Sequence, residues 1–138
     1  MMDRDHPGFN KNAEPFFSIV MEGLQGKVDG EHFWDAVAED AVFEFLYYFP
    51  GFPNKIEGRS AYMDWFGGYA VSLRSADGLK VHDSREEGVT ILEYAVHGTA
   101  PTGKTYDNRF CSIVAIKERK IVHWRDYSDS LAAMTALS

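Results

Sequence analysis

The amino-acid sequence predicts an α+β domain in which helices pack on one face of a strongly curved antiparallel or mixed sheet. Apolar residues recur at helical spacing in the first half of the chain, as far as Tyr69. Strand-like alternation fills most of the second half, and its last two runs flank a charged turn at residues 117–120, which is typical of a β-hairpin. Helices followed by a block of strands, without alternating βαβ units, favour this fold class.

Three helices are expected before the sheet. The first begins near Ala13 and has five apolar residues on one face: Phe16, Phe17, Val20, Met21 and Leu24. Asp29 is expected to cap a short second helix that includes Val37. A third helix follows Gly58, with its apolar positions at Tyr62, Met63, Trp65, Phe66 and Tyr69. The polar residues 1–12 are expected to be a flexible tail, so that a single domain spans residues 13–138.

The remaining segments are expected to be strands joined by loops. Residues 41–49 are rich in aromatic and β-branched residues and are expected to form a strand with Phe43 and Phe45 on one face. Later strands are expected at residues 79–83, at residues 88–98 and in the hairpin at residues 101–129. A terminal turn or short helix is expected at residues 128–137.

Composition and charge exclude several classes of protein. The 138 residues fit one domain, and a hydrophobic fraction of 45% is sufficient for a core. A net charge of −7 argues against nucleic acid and against an anionic membrane surface as partners, because both need clustered Lys and Arg. No apolar run approaches the roughly 20 residues that span a bilayer. With a lone cysteine, Cys111, and no apolar signal segment, the protein is expected to be cytoplasmic.

Four segments carry a resemblance to a known family: residues 38–43 (AEDAVF), 57–59 (EGR), 101–106 (PTGKTY) and 120–129 (KIVHWRDYSD). With the expected order of elements, they make the chain resemble SnoaL-like proteins. These are related to ketosteroid isomerases and limonene epoxide hydrolases within the nuclear-transport-factor-two-like superfamily. The resemblance implies a cone-shaped α+β barrel with a deep cavity between helices and sheet, and chemistry that needs no cofactor.

The catalytic residues of these relatives are largely absent. Of the acidic and basic groups that an epoxide hydrolase uses, the resemblance retains one Asp, at Asp126. Glu93 stands where the hydrolase Arg would be, and Ala95 stands where its general base would be. The isomerase base and hydrogen-bond donor correspond to Phe45 and Ser112. The pocket Asp of the SnoaL-like cyclases corresponds to Asp126.

Strand alternation predicts which side chains face the cavity. In the hairpin, Asp126 is expected to face inward, and Glu93 and His97 are expected to face inward from the preceding strand. The expected ligand-binding residues are Glu93, Asn108, Phe43, Phe45, Phe110, Trp124, Phe16 and Phe66. Aromatic walls with a few convergent polar groups are typical of a site for a small apolar molecule.

Asp126 and His97 are the expected catalytic residues. Burial among aromatic rings raises the pKa of a carboxyl, which suits general acid or base chemistry, and a histidine can act as a base near neutral pH. The hypothesis is proton transfer on an apolar carbonyl compound, as in isomerisation or aldol-type cyclisation. Four alternatives stay open: a non-catalytic binding module, an epoxide hydrolase-like enzyme, a dimeric interaction domain, and structural roles for both residues.

The outward face of the long strands predicts a partner. Its expected residues are Tyr94, Val96, Cys111, Ile113 and Ala115, and an apolar sheet face of this kind needs to be covered. Proteins that this chain resembles pack two sheets together, so a homodimer through the sheet face is expected. The five histidines are scattered and no Cys or His cluster has zinc spacing, so no metal site is expected.

Overall fold

The computed structural model describes residues 2–138, which form four α-helices and six strands. The helices are α1 (Glu14–Gly23), α2 (Phe33–Ala36), α3 (Arg59–Gly67) and α4 (Ser130–Leu137). The strands are β1 (Val37–Phe45), β2 (Lys55–Glu57), β3 (Ser72–Asp83), β4 (Val89–Thr99), β5 (Thr105–Lys117) and β6 (Lys120–Ser128). None of the helices in residues 2–138 is long and apolar enough to cross a bilayer.

The six strands form one sheet in the order β2-β1-β6-β5-β4-β3. The β1 and β6 strands are parallel, and every other neighbouring pair is antiparallel, so the expected α+β class with a mixed sheet is confirmed. The edge strands β2 and β3 do not pair with each other, and the curved sheet stays open. The expected hairpin joins β5 to β6 through Glu118 and Arg119, whose positive φ values of 53° and 63° match the twist of the two strands.

The core lies between the helices and one face of this sheet. Phe17 on α1 is at its centre, with its ring centroid 5.5 Å from that of Phe33, 5.5 Å from that of Trp34 and 5.1 Å from that of Phe66. All four side chains are buried. Aromatic rings at such separations add about 0.5–1.5 kcal/mol per pair to the burial of apolar surface. The apolar faces expected for the first and third helices therefore meet in one cluster.

Residues 8–10 lie against this cluster. The indole Nε1 of Trp34 donates a hydrogen bond to the Gly8 carbonyl at 2.8 Å. The Asn10 side chain donates to the carbonyls of Phe66, at 3.0 Å, and Tyr69, at 2.8 Å. Carbonyls at the C-terminal end of a helix have no partner within the helix, so Asn10 caps α3. The flexibility expected of residues 1–12 stays a prediction, and Met1 lies outside the described residues.

The second helix differs from its prediction. Its N-terminal cap is His32 instead of Asp29: the His32 side chain accepts a hydrogen bond from the Trp34 N–H at 3.2 Å, and the Asp35 carboxylate accepts one from the His32 N–H at 3.0 Å. Val37, expected in this helix, begins β1 and pairs with Ile121 of β6. The apolar spacing around Val37 fits both a helix and a strand, and pairing with β6 decides between them.

The third strand is longer than expected. The prediction began it at residue 79, whereas β3 begins at Ser72. Asp77 and Gly78 resemble a turn in the sequence, but in the structure the register with β4 shifts between Asp77 and Lys80, and Gly78 has a φ of 70°. A bulge of this kind bends a strand without ending it, and glycine adopts the positive φ at no steric cost.

The fourth strand has the opposite orientation to the one predicted. Leu92, Tyr94 and Val96 face the core and are buried, whereas Glu93 and His97 face the outer side of the sheet. Both faces of this strand carry apolar residues, so its alternation did not fix the orientation, and a shift of one residue turns every side chain over. The predictions of Glu93 and His97 inside, and of Tyr94 and Val96 outside, are wrong.

Candidate functional site

A cavity of about 250 Å³ lies between the inner face of the sheet and the helices. Its aromatic lining comprises Phe16, Phe45, Tyr47, Phe49, Phe52, Tyr62, Trp65, Phe66, Tyr69, Tyr106 and Phe110. Small and aliphatic residues from β3, β4 and α4 complete the apolar wall, with Ala133 and Leu137 contributed by α4. The polar lining residues are Asn108, Asp126 and Ser128. Such a wall suits a small, mostly apolar molecule.

Strand register places Asp126 in this wall. Asp126 is the Cα partner of Phe45 on β1 and of Ser112 on β5, so the three side chains share the inner face of the sheet. The Ser112 hydroxyl donates a hydrogen bond to Asp126 Oδ1 at 2.5 Å. Asp126 is 4% exposed. Burial raises the pKa of Asp126 to about 7, although Ser112 and Trp124 act in the opposite direction by stabilising the carboxylate.

A second hydroxyl extends this contact away from the cavity. The Tyr94 hydroxyl lies 2.9 Å from Ser112 Oγ, and both side chains are buried. Because the single Ser112 hydroxyl proton is donated to Asp126, Tyr94 must donate its own proton to Ser112. The result is a chain of hydrogen bonds from Tyr94 through Ser112 to Asp126, in which each group orients the next.

Tyrosine hydroxyls supply further polar groups around the carboxyl. Burial raises the pKa of Tyr47, Tyr62 and Tyr106, and the negative charge of Asp126 raises it further in each case. Burial also raises the pKa of Tyr69. All four line the cavity and stay protonated at neutral pH, so they are neutral hydrogen-bond donors.

Asn108 holds one of these hydroxyls in place. Its side-chain NH₂ donates to the Tyr106 hydroxyl oxygen at 2.8 Å. Its Oδ1 accepts from the backbone N–H of Arg109, at 2.8 Å, and of Asp129, at 3.1 Å. The amide is therefore engaged at both ends, and the Tyr106 hydroxyl proton is left free to be donated to a ligand.

Two of the predicted ligand-binding residues form a second layer behind the cavity wall. Phe43 is buried under Tyr62, with ring centroids 3.8 Å apart. Trp124 is fully buried, and its Nε1 has no partner at hydrogen-bonding geometry within the described residues, although it lies near enough to lower the pKa of Asp126. Neither side chain lines the cavity.

Six of the predicted residues do lie together at the cavity: Asp126, Asn108, Phe45, Phe110, Phe16 and Phe66. His97 lies on the other face of the sheet, with Nδ1 2.7 Å from Asp107 Oδ1 and Nε2 3.1 Å from Asp77 Oδ1. The hydrogen bond to Asp107, which has the larger effect, and the one to Asp77 both raise the pKa of His97. Glu93 is also outside, and its Oε2 lies 2.6 Å from His82 Nε2. Asp126 and His97 therefore cannot contact the same ligand in this cavity.

The sequence contains a signal for three lining residues that are absent from the predicted ligand-binding set. Tyr62 and Trp65 on α3 and Tyr69 just after it are spaced three and four residues apart, and all three line the cavity beside Phe66. Polar-tipped aromatics on one helical face favour a site over a plain core, because their hydroxyl and indole N–H groups need partners.

No group of three or more His, Cys, Asp and Glu side chains in residues 2–138 is arranged to hold a metal ion.

Comparisons with known proteins agree with this architecture. Residues 21–124 match the family model for the SnoaL-like domain. The chain is 33% identical over 106 residues to the uncharacterized protein YesE of Bacillus subtilis (strain 168), a match that covers 75% of this chain and 70% of that protein.

Solved structures with the same fold include two with suggested activities. One is a Bacillus subtilis protein proposed to be an isomerase, with 28% identity, a TM-score of 0.73 and 94% of each chain covered. Another is a protein from Jannaschia sp. CCS1 proposed to be a SnoaL-like polyketide cyclase, with 17% identity, a TM-score of 0.62 and coverage of 100% of this chain and 98% of that one.

Proposed function

The chain belongs to the SnoaL-like domain family, and we propose that it is a cofactor-free isomerase or cyclase that moves a proton on a small, apolar carbonyl compound. One observation carries the proposal: a single buried carboxyl, Asp126, lies in the wall of an aromatic cavity. Its pKa of about 7 makes both of its protonation states accessible near neutral pH, which is the property that a general acid or base needs.

The proposed step begins with ionised Asp126 taking a proton from the carbon next to the substrate carbonyl. The electron pair left behind forms an enolate, whose charge develops on the carbonyl oxygen. The protonated hydroxyls of Tyr47, Tyr62 and Tyr106 are the candidate donors to that oxygen, and such donors act strongly where water is excluded. In a β,γ-unsaturated ketone the enolate charge extends to the γ-carbon, and return of the proton from Asp126 to that carbon completes an isomerisation. In a cyclisation, the enolate carbon bonds to a second carbonyl carbon, and the alkoxide formed there takes the proton from Asp126.

The similar structures support this reading without deciding between the two outcomes. The Bacillus subtilis protein is proposed to be an isomerase and the Jannaschia protein a polyketide cyclase. Enolate formation is a step that both reactions share. The common step is therefore the one to test first.

The test is exchange of the hydrogens next to the carbonyl of bicyclic aromatic ketones in D₂O, followed by NMR. Wild-type protein is expected to accelerate exchange, with a rate that rises as the pH passes about 7 because the ionised carboxylate is the base. Asp126→Asn and Asp126→Ala are expected to lower the rate about 100-fold or more. Asp107→Asn is the matched control, since Asp107 is a carboxyl on the outer face of the same sheet. Exchange that is unchanged in both Asp126 variants would rule out this role.

We also propose that two copies of the chain pair through the outer face of the sheet. Ile91, Cys111, Ile113 and Ala115 are only partly buried on that face in the single chain. An apolar sheet face of this kind is normally covered. Light scattering after size exclusion is expected to give a dimer for the wild type and a monomer for Ile113→Glu. A monomeric wild type at micromolar concentration would refute the proposal.

A further inference from the structure

The carboxyl of Asp126 has no positive partner among residues 2–138. Among the residues that line the cavity, Asp126 is the one acidic side chain, and no Lys, Arg or His lines it. The next residue, Arg125, faces the outer side of the sheet, where its Nε lies 3.8 Å from Glu44 Oε1. An unpaired buried charge is costly, so an ionised Asp126 is stabilised by whatever brings a positive charge into the cavity.

The groups that face Asp126 from each neighbouring element are neutral. They are Tyr47 after β1, Tyr62 on α3, Tyr94 on β4, Tyr106 and Ser112 on β5, and Trp124 on β6. Burial keeps all four tyrosines protonated at neutral pH. The cavity therefore carries a net negative charge when Asp126 is ionised, which repels anionic ligands and attracts cationic ones.

Aromatic rings surround the same space. The Trp65 ring centroid lies 5.5 Å from that of Phe45, 5.6 Å from that of Phe52 and 5.9 Å from that of Tyr62, and all four residues line the cavity. The face of an aromatic ring attracts an organic cation by about 0.5–2 kcal/mol, most strongly for tryptophan and for desolvated sites. A cluster of rings next to an unpaired carboxylate is the combination that recognises alkylated ammonium groups.

We propose that this cavity binds a hydrophobic organic cation, an alkyl- or arylammonium ion whose charged nitrogen lies against Asp126 and whose carbon groups lie against the rings around Trp65. The inference rests on the proposed function only in using the same cavity. Binding of the cation needs no catalysis, and the cavity would select this ligand by charge as well as by shape.

Binding of such a cation requires the ionised carboxylate. A quaternary ammonium ion keeps its charge at every pH, so any pH dependence of its binding comes from the protein. With the Asp126 pKa at about 7, the affinity is expected to be about tenfold higher at pH 8 than at pH 6, because the ionised fraction rises by that factor.

The test uses two probes of nearly equal shape: phenyltrimethylammonium, which is cationic, and tert-butylbenzene, which is neutral. Calorimetry at pH 8 is expected to show that wild-type protein binds the cation about tenfold more tightly than the neutral probe, or better. Asp126→Asn is expected to lose that preference while still binding tert-butylbenzene, which also shows that the variant is folded. The comparison of pH 6 with pH 8 repeats the test on wild-type protein alone.

The inference is overturned if wild-type protein binds both probes equally, binds neither, or keeps its preference in Asp126→Asn. Equal binding of both probes would leave the proton-transfer proposal intact, because an apolar ligand site would still exist. Conversely, a clear preference for the cation together with no ketone exchange would refute the proposed reaction and leave this inference standing.

Discussion

Ser112 and Asp126 are paired across the β5–β6 hairpin, and the serine hydroxyl donates a hydrogen bond of 2.5 Å to the carboxylate. This bond lowers a pKa that burial raises, so the carboxyl titrates near neutral pH instead of staying protonated. The serine is thus a positioning residue: it touches the acid and not the cavity, since Ser112 is not among the lining residues.

Removal of this hydroxyl is expected to shift the pH dependence of activity. In Ser112→Ala, the pKa of Asp126 rises above about 7, because a hydrogen bond to a charged group is worth about 1.5–3 kcal/mol and each pH unit about 1.4 kcal/mol. The midpoint of the ketone-exchange profile should move up by about one to two pH units. Tyr94→Phe should move it in the same direction by less. Cys111→Ala, on the other face of β5, is the control, and an unmoved midpoint in Ser112→Ala would contradict the prediction.

Stability should depend on pH through Asp126. The folded pKa of about 7 exceeds the unfolded value of 3.8, so the folded state holds the proton more tightly between those limits. The contribution of this group to the free energy of unfolding is largest below about pH 4 and is lost as the pH rises through about 7. The loss is on the order of 4 kcal/mol, at about 1.4 kcal/mol per pH unit.

The measurement is urea unfolding at pH 5 and pH 8. Asp126→Asn has no carboxyl at this position, so its stability relative to wild type should improve at pH 8. Asp40→Asn removes an exposed carboxyl that forms no ion pair within residues 2–138, and it serves as the control for the general effect of removing a charge. The same difference between wild type and Asp126→Asn at both pH values would be inconsistent with a perturbed carboxyl.

Asn10 is expected to tie the N-terminal segment to the cavity wall. Its side chain caps the Phe66 and Tyr69 carbonyls, and both of those residues line the cavity. Asn10→Ala should lower the free energy of unfolding by about 1–3 kcal/mol, because the Tyr69 carbonyl loses its side-chain donor and the Phe66 carbonyl keeps only backbone donors such as the Tyr69 N–H at 3.1 Å. Cleavage by trypsin after Lys11 should also become faster. Asn12→Ala is the matched control. Equal rates of cleavage in the two variants would show that the Asn10 side chain does not hold the N-terminal segment against the domain.

Close approach of β3 and β4 should make Gly98 intolerant of any side chain. A Cβ at this position would collide with the Ser72 carbonyl oxygen and lie 2.8 Å from Leu73 Cα. Both are backbone atoms of the neighbouring strand, so relief requires the strands to separate. Gly98→Ala should cost about 3 kcal/mol in thermal or urea unfolding. Gly68→Ala is the control, since the nearest atom to its Cβ is 3.6 Å away, and equal effects of the two substitutions would refute the argument.

The hairpin and the overall order of elements could be predicted because local patterns decide them. The charged turn at residues 117–120 and the runs on either side of it indicate β5 and β6, and Asp126 and Asn108 fell on the correct face. The family resemblance pointed to the same region. The local sequence pattern and the tertiary strand pairing agree in this region, so the predicted strands are the observed ones.

The orientation of β4 could not be predicted from its own sequence. Ile91 and Ala95 on one face are nearly as apolar as Leu92, Tyr94 and Val96 on the other. The decision comes from pairing with β5, where Leu92 lies opposite Ser112 and Val96 opposite Asn108. The alternation alone therefore predicts His97 in the cavity, whereas its side chain contacts Asp77 and Asp107 on the outer face of the sheet. The aromatic face of α3 was identified, but whether it meets a solid core or a cavity depends on how all the layers fit together.

The parallel pairing of β1 with β6 sets the order in which the site can assemble. Phe45 and Asp126 are Cα partners in that pair, and they are 81 positions apart in the sequence. Contacts between distant parts of a chain form late and slow the folding of a domain. On a ribosome, α1, α2, α3 and β1 would emerge long before β6, so the acidic wall of the cavity could form only after β6 had emerged. A chain that stops before residue 120 would retain most of the aromatic rings that line the cavity but would lack the Asp126 carboxyl.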